Sequence, residues 1–356
     1  HATMQMADDV RNAVLFQVGA IGAMLDGQTF NQALLVLQKQ TTDTLKTQTV
    51  SDQICRFGTL SRSLSGSEDK ANNVRLGLTD EMLQREMMQN NMNSGSAKGV
   101  GRETGRNADK DGRIHQWKTV YCDPADSAGA LADTSWCAAT SDARRNKDIN
   151  LFQTLYGPQT LDIDFTGSQT SVSTADEQDL FALSSNLFSH DLMTNIGPSD
   201  FAGLSTADDA VVSNKMARLM DFRALTAKRS VAQNSFAALA AMKAAGSGGS
   251  AQYMKEMLTE LGLDGSSQIA AIGNNPSYNA QMEMLTRTLY QSPSFYANLM
   301  ESPANIGRQQ SAMEGIALMQ DRDIYESLRR SEMVLSSLLE IYVAQEQDGF
   351  KDRGGK

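Results

Sequence analysis

Residues 208–245, DDAVVSNKMARLMDFRALTAKRSVAQNSFAALAAMKAA, decide the fold class. Val212, Met216, Leu219, Phe222 and Leu225 recur at spacings of three and four, and Phe236 and Leu239 resume the series. That period gives one apolar face on a long α-helix. Gly246-Ser247-Gly248-Gly249 ends it, because three glycines in four residues cost too much backbone entropy to stay helical. Upstream, Ser173-Thr174 before Ala175-Asp176-Glu177 reads as a helix start with acids in the first turn. Downstream, a shorter helix over Gln252–Leu261 stops at Gly262, and Ile324, Leu328, Leu335, Leu338 and Tyr342 mark one face of a last helix.

The N-terminal region has the same period. Val10, Val14, Val18, Ile21 and Leu25 lie on one face, Asp26-Gly27 interrupts, and Phe30, Leu34, Leu37, Thr41 and Leu45 resume. Val50, Ile54, Phe57, Leu60 and Leu64 follow, and beyond Gly66 come Val74, Leu78, Met82 and Met87. No proline occurs before Pro124, which permits very long helices. Between the two helical regions, Gly95–Thr170 is polar. Ser94–Gly112 predicts an exposed loop, Cys122-Asp123-Pro124 a turn, and Leu161, Ile163 and Phe165 a short strand at most.

These signals predict a mainly α protein, an elongated antiparallel helical bundle with one disulfide-bearing polar insert. The expected divisions are 1–94 (long helices), 95–170 (insert), 171–347 (helices completing the bundle) and 348–356 (disordered tail).

At 356 residues and 40% hydrophobic, the chain can bury a sizeable core. The formal charge of −10, without a run of Lys or Arg, argues against nucleic acid and anionic membranes as partners. No segment reaches the length of a membrane span; Val10–Leu25 comes closest but carries Arg11 and Gln17. Cys122 and Cys137 stand in a turn-rich segment where packing rarely needs cysteine. A disulfide there closes a loop of about 15 residues and stabilises by roughly 3 kcal/mol. It implies an oxidising compartment, periplasmic or at the cell surface, with a leader removed, since His1-Ala2-Thr3-Met4 is no signal peptide. Cys55, between Ile54 and Phe57, reads as a buried thiol.

Chemistry-bearing motifs are sparse. Asn107-Ala108-Asp109-Lys110-Asp111-Gly112 has the oxygen spacing of a calcium loop, but Lys118 stands where the bidentate carboxylate belongs, so a solvated turn is the better account. A zinc site lacks ligands, with His115 alone near the cysteines. Glu301-Ser302 followed by Gly315-Ile316-Ala317-Leu318-Met319-Gln320 loosely resembles lytic transglycosylases, with Glu301 the one candidate acid; Pro303 and the spacing depart from that pattern. No histidine stands in a nucleophile setting, and no glycine-rich loop joins a strand to a helix. Neither a cofactor nor a catalytic residue is expected.

A wider likeness rests on Gln53-Ile54-Cys55-Arg56-Phe57-Gly58-Thr59-Leu60-Ser61-Arg62-Ser63-Leu64 and on Tyr121-Cys122-Asp123-Pro124 with Cys137. It extends to Asn146-Lys147-Asp148-Ile149-Asn150, Thr160-Leu161-Asp162-Ile163-Asp164-Phe165 and Tyr325-Glu326-Ser327-Leu328-Arg329-Arg330-Ser331-Glu332. Together these resemble exported proteins encoded with conjugative and type IV secretion machinery. The resemblance implies a non-enzymatic periplasmic or surface component whose partners are other subunits of the assembly. The insert, Gly95–Phe165, is the expected contact surface. A surface adhesin or receptor-like protein is the second reading, a peptidoglycan-cleaving enzyme the third.

Overall fold

A computed structural model describes residues 2–49, 52–88, 105–132, 136–137, 142–165, 174–188, 190–193, 214–247, 249, 251–260, 272–291, 293–300 and 302–354. The chain is mainly α, and among the described residues there is no strand. It divides into two compact units, one of His1–Cys55 with Ala297–Glu314, the other of Arg56–Tyr296 with Gly315–Lys356.

In the first unit, helix α1 (Ala2–Gln48) is about 70 Å long at 1.5 Å per residue. It passes through Gly27 unbroken, because one interior glycine costs only about 1 kcal/mol. Its later threonines turn their hydroxyls onto their own helix: Thr41 bonds the Leu37 carbonyl at 2.9 Å, Thr42 that of Gln38 at 2.7 Å, Thr44 that of Gln40 at 2.7 Å, and Thr47 that of Asp43 at 3.0 Å. The stripe expected to be a core face is not buried. Val10, Val14, Val18, Ile21 and Leu25 are 52–61% exposed, as are Leu15, Phe16, Met24 and Phe30 around them to similar or greater extents. The last helix opens in this unit with Pro303 at its first position, where a missing N–H costs nothing. Asn305 and Gln309 are buried there, and Asn305 Nδ2 donates to the Thr49 carbonyl at 3.3 Å.

The second unit is built on α2 (Asp52–Met88), whose Leu60, Leu64, Ala71, Val74, Leu78 and Met82 are buried at helical spacing. The expected break at Gly66 is absent. A β-carbon there would meet Ser247 Oγ at 2.7 Å, so the glycine admits a neighbouring chain rather than ending a helix. Further elements are α3 (Arg106–Gln116), α4 (Ala175–Phe188), α5 (Asn214–Met242), α6 (Ala251–Glu260), α7 (Tyr278–Glu283) and α8 (Pro293–Asn298). Helix α9 (Pro303–Gly354) returns along this unit from Gly315 and continues through Gly354, where a frayed tail was expected.

The core joins α2, α4, the alanine-rich end of α5 (Ala237, Ala240, Ala241) and Ala244 just beyond it to Leu155, Leu161, Ile163 and Phe165. The polar insert is thus not an excursion, because its alternating Leu161, Ile163 and Phe165 lie in this core. Instead of a strand, Leu161 makes an isolated bridge to Ala244, donating to the Lys243 carbonyl at 2.7 Å and accepting from Ala245 N–H at 2.9 Å. The helix start read at Thr174 is a reciprocal cap. Glu177 N–H donates to Thr174 Oγ1 at 3.2 Å, and Thr174 N–H to Glu177 Oε2 at 3.1 Å. The other oxygen of Glu177 accepts from Asp164 N–H at 2.9 Å and Phe165 N–H at 3.0 Å, tying the insert to α4.

At the end of α5 the packing departs from the apolar stripe. Helix α5 ends before Gly246, but Leu239, placed on its apolar face, is 43% exposed while the alanines pack. Gly246 is held between helices: a β-carbon there would collide with Ser67 Oγ and the Pro276 carbonyl and come within 2.8 Å of Ser67 Cβ. Ser67 in turn accepts from Gln281 Nε2 at 2.7 Å and Ser247 N–H at 3.2 Å.

Candidate functional site

Cys122 and Cys137 are both buried and joined, with α-carbons 5.4 Å apart. The turn after Cys122 forms as its sequence predicts, Asp123 Oδ1 accepting from Ala125 N–H at 2.9 Å. Next to the bridge, Tyr121 closes a wide π turn (Trp117–Tyr121) that continues α3. Its ring is buried, and its hydroxyl donates to Asp179 Oδ1 of α4 at 3.0 Å. Arg144 Nε donates to the same oxygen at 3.0 Å, and Lys147 Nζ lies 3.1 Å from Oδ2. Burial, followed by the Asp179 charge, drives the Tyr121 pKa far above the ordinary phenol value, so the hydroxyl stays protonated. The carboxylate of Asp179 therefore fastens the cysteine segment, the 142–147 turn and α4 together.

Residues 106–116, expected in part as an exposed loop, are helical. Asp109, a member of the calcium-like motif, is buried and takes Arg85 as a two-pronged partner at 2.9 and 2.8 Å. Its carboxylate is thus paired with the Arg85 guanidinium of α2, and among the described residues there is no group of three or more His, Cys, Asp or Glu placed to hold a metal ion.

Beside this network lies a cavity of about 300 Å³. Ile114, Trp117, Phe181 and Ala182 form its apolar wall, and Arg85, Lys110, Arg113, Asp148, Asn186 and His190 its polar edge. Arg113 donates to the His190 carbonyl at 2.6 Å and to Asn186 Oδ1. Asn186 Nδ2 donates to the Asp148 carbonyl at 2.9 Å and to its Oδ2 at 3.3 Å. Burial raises the Asp148 pKa above the usual carboxylate value. Sequence reasoning missed this cavity because its residues come from α2, α3, α4 and the 148 turn, with no shared local motif.

Of the residues singled out by sequence, the structure brings Cys122 and Cys137 together. Glu301, residues 95–104 and the side chain of Cys55 lie outside the described residues. His115 is exposed on α3. No helix among the described residues is long and apolar enough to cross a membrane. Comparison of the chain with protein-family models, curated proteins and solved structures gives no match.

Proposed function

We propose that this protein is a non-enzymatic component of a bacterial type IV secretion or conjugation apparatus, acting by protein contacts in the periplasm or at the cell surface. The observation that carries the protein-contact role is the uncovered apolar surface of α1. Sixteen large hydrophobic side chains between Met4 and Leu45 are exposed. Exposed apolar side chains concentrated on one element mark an interaction surface more than singly scattered ones do. The Cys122–Cys137 bridge supports an oxidising compartment. A structural role for the charged groups is supported by their engagement with one another, Asp179 with Tyr121, Arg144 and Lys147, Asp109 with Arg85, and Glu86 with Arg229 at 3.1 Å. The secretion role itself rests on the resemblance described above.

The test is deletion of the gene in a conjugating host, followed by complementation. Loss of transfer restored by both the wild-type chain and Glu301→Gln fits a contact role. Restoration by wild type alone would point to peptidoglycan cleavage, and unimpaired transfer with adhesion by the purified protein to an adhesin.

A further inference from the structure

The cavity beside α3 has a use that the contact role does not require. Its three cationic residues are not equivalent. Arg85 is committed to Asp109 through both nitrogens, and Lys110 Nζ lies 2.9 Å from Asp191 Oδ1. Arg113 is different: among the described residues no carboxylate lies within ion-pair distance of it, and its partners are one carbonyl and one amide oxygen. A guanidinium has five N–H donors, so three remain beyond those bonds. Asp148, the acid in the lining, accepts from the Asn186 amide, and its charge, with those of Asp109 and Asp191, acts on Arg113 from a distance without occupying its open donors. Burial, and then the nearby Arg85 charge, press the Arg113 pKa below its ordinary value. The half-buried guanidinium with open donors, next to a second cation, is where an anionic ligand group can be received.

The geometry points to a binding site for a small organic anion, a monocarboxylate with an aromatic or branched apolar body. The carboxylate takes the open donors of Arg113 in a charge-assisted pair. The body fills the space against Ile114, Trp117, Phe181 and Ala182, which a cavity of about 300 Å³ confines to one ring system rather than a chain of them. A phosphate-rich ligand is a poorer match, since one unpaired guanidinium and an apolar wall cannot neutralise several charges.

The experiment is calorimetry of the full chain with indole-3-acetate, indole-3-acetamide and tryptamine as acid, neutral and cationic probes of one shape. Saturable binding of the acid is expected, weakened at least about ten-fold for the amide and lost for the amine. Arg113→Gln is expected to reduce acid affinity at least about ten-fold and to bring acid and amide level, with Arg113→Lys in between. Ile114→Trp, at an exposed position on the cavity wall, is expected to abolish binding of acid and amide alike without altering the helical spectrum. The proposal is overturned if the acid does not bind at millimolar concentration, if acid and amide bind wild type equally, or if Ile114→Trp leaves acid binding intact. The wild-type comparison and the Ile114 variant decide the matter even if Arg113→Gln does not fold.

Discussion

Asp179 is 1% exposed and has a phenol, a guanidinium and an ammonium directed at its carboxylate. Removing one donor differs from removing the acceptor. Tyr121→Phe takes away a hydrogen bond to a charged group and is expected to lower the unfolding free energy by about 1.5–3 kcal/mol in urea titration. Asp179→Ala strands two cations in the same place and is expected to cost about 3–5 kcal/mol. Asp191 offers a test in acid. A hydrogen bond from Arg106, then one from Lys110, hold its carboxyl at about 2, below the model-compound 3.8. Because the folded pKa is the lower one, the stabilisation is complete above the unfolded value and disappears as pH falls from there towards 2. An NMR titration of Asp191 should show that low midpoint, and Arg106→Gln should move it upward. At Gly246, an alanine methyl would fall on Ser67 and the Pro276 carbonyl, so Gly246→Ala is expected to destabilise by about 1–3 kcal/mol or more. The cysteine pair and the Thr174–Glu177 cap were legible because each is a local pattern. Arg85 with Asp109 was not, since pairing between helices leaves no spacing in the chain.

Among the elements, α9 shows how periodicity identifies a helix without identifying its packed side. Ile324, Leu328, Leu335, Leu338 and Tyr342 form the apolar stripe, yet they are 58–64% exposed. The half-buried line is instead Met319, Asp323, Glu326, Arg330, Val334 and Ser337. It is seated through polar contacts: Tyr278 OH donates to Asp323 Oδ2 at 2.7 Å, and the neighbouring Arg322 lies 2.8 Å from Glu68. Hydropathy favours the oily face, while the body of this unit offers α9 the Tyr278 phenol, the Glu68 carboxylate and the Lys228 ammonium. If the stripe serves a partner, Leu328→Glu and Leu335→Glu should leave the thermal midpoint of the isolated chain nearly unchanged, within about 0.5 kcal/mol. The same variants should weaken co-purification with assembly subunits. A drop in the midpoint would mean that the stripe is already covered.

At the scale of the molecule, the helical class could be read from the sequence, while the burial of the insert's end could not. Polar composition suggested that 95–170 stands apart, but three alternating apolar residues outweigh their neighbours and bring its end into the core. The Cys122–Cys137 bridge therefore fastens part of the folded body. Breaking it with Cys122→Ser and Cys137→Ser together is expected to lose roughly 3 kcal/mol, the chain entropy of a loop of that length, read as a shift in the urea midpoint. In the unit that contains α1, composition misleads in the opposite direction. The threonines from Thr41 to Thr47 count as hydrophilic, yet each hydroxyl proton is already held by a carbonyl one turn back. Dehydrating such a side chain leaves its donor satisfied and removes only what the hydroxyl oxygen accepts from water. These four side chains therefore cost less to dehydrate than their letters suggest, and the polar character of the end of α1 resides in Lys39, Gln40, Asp43 and Lys46.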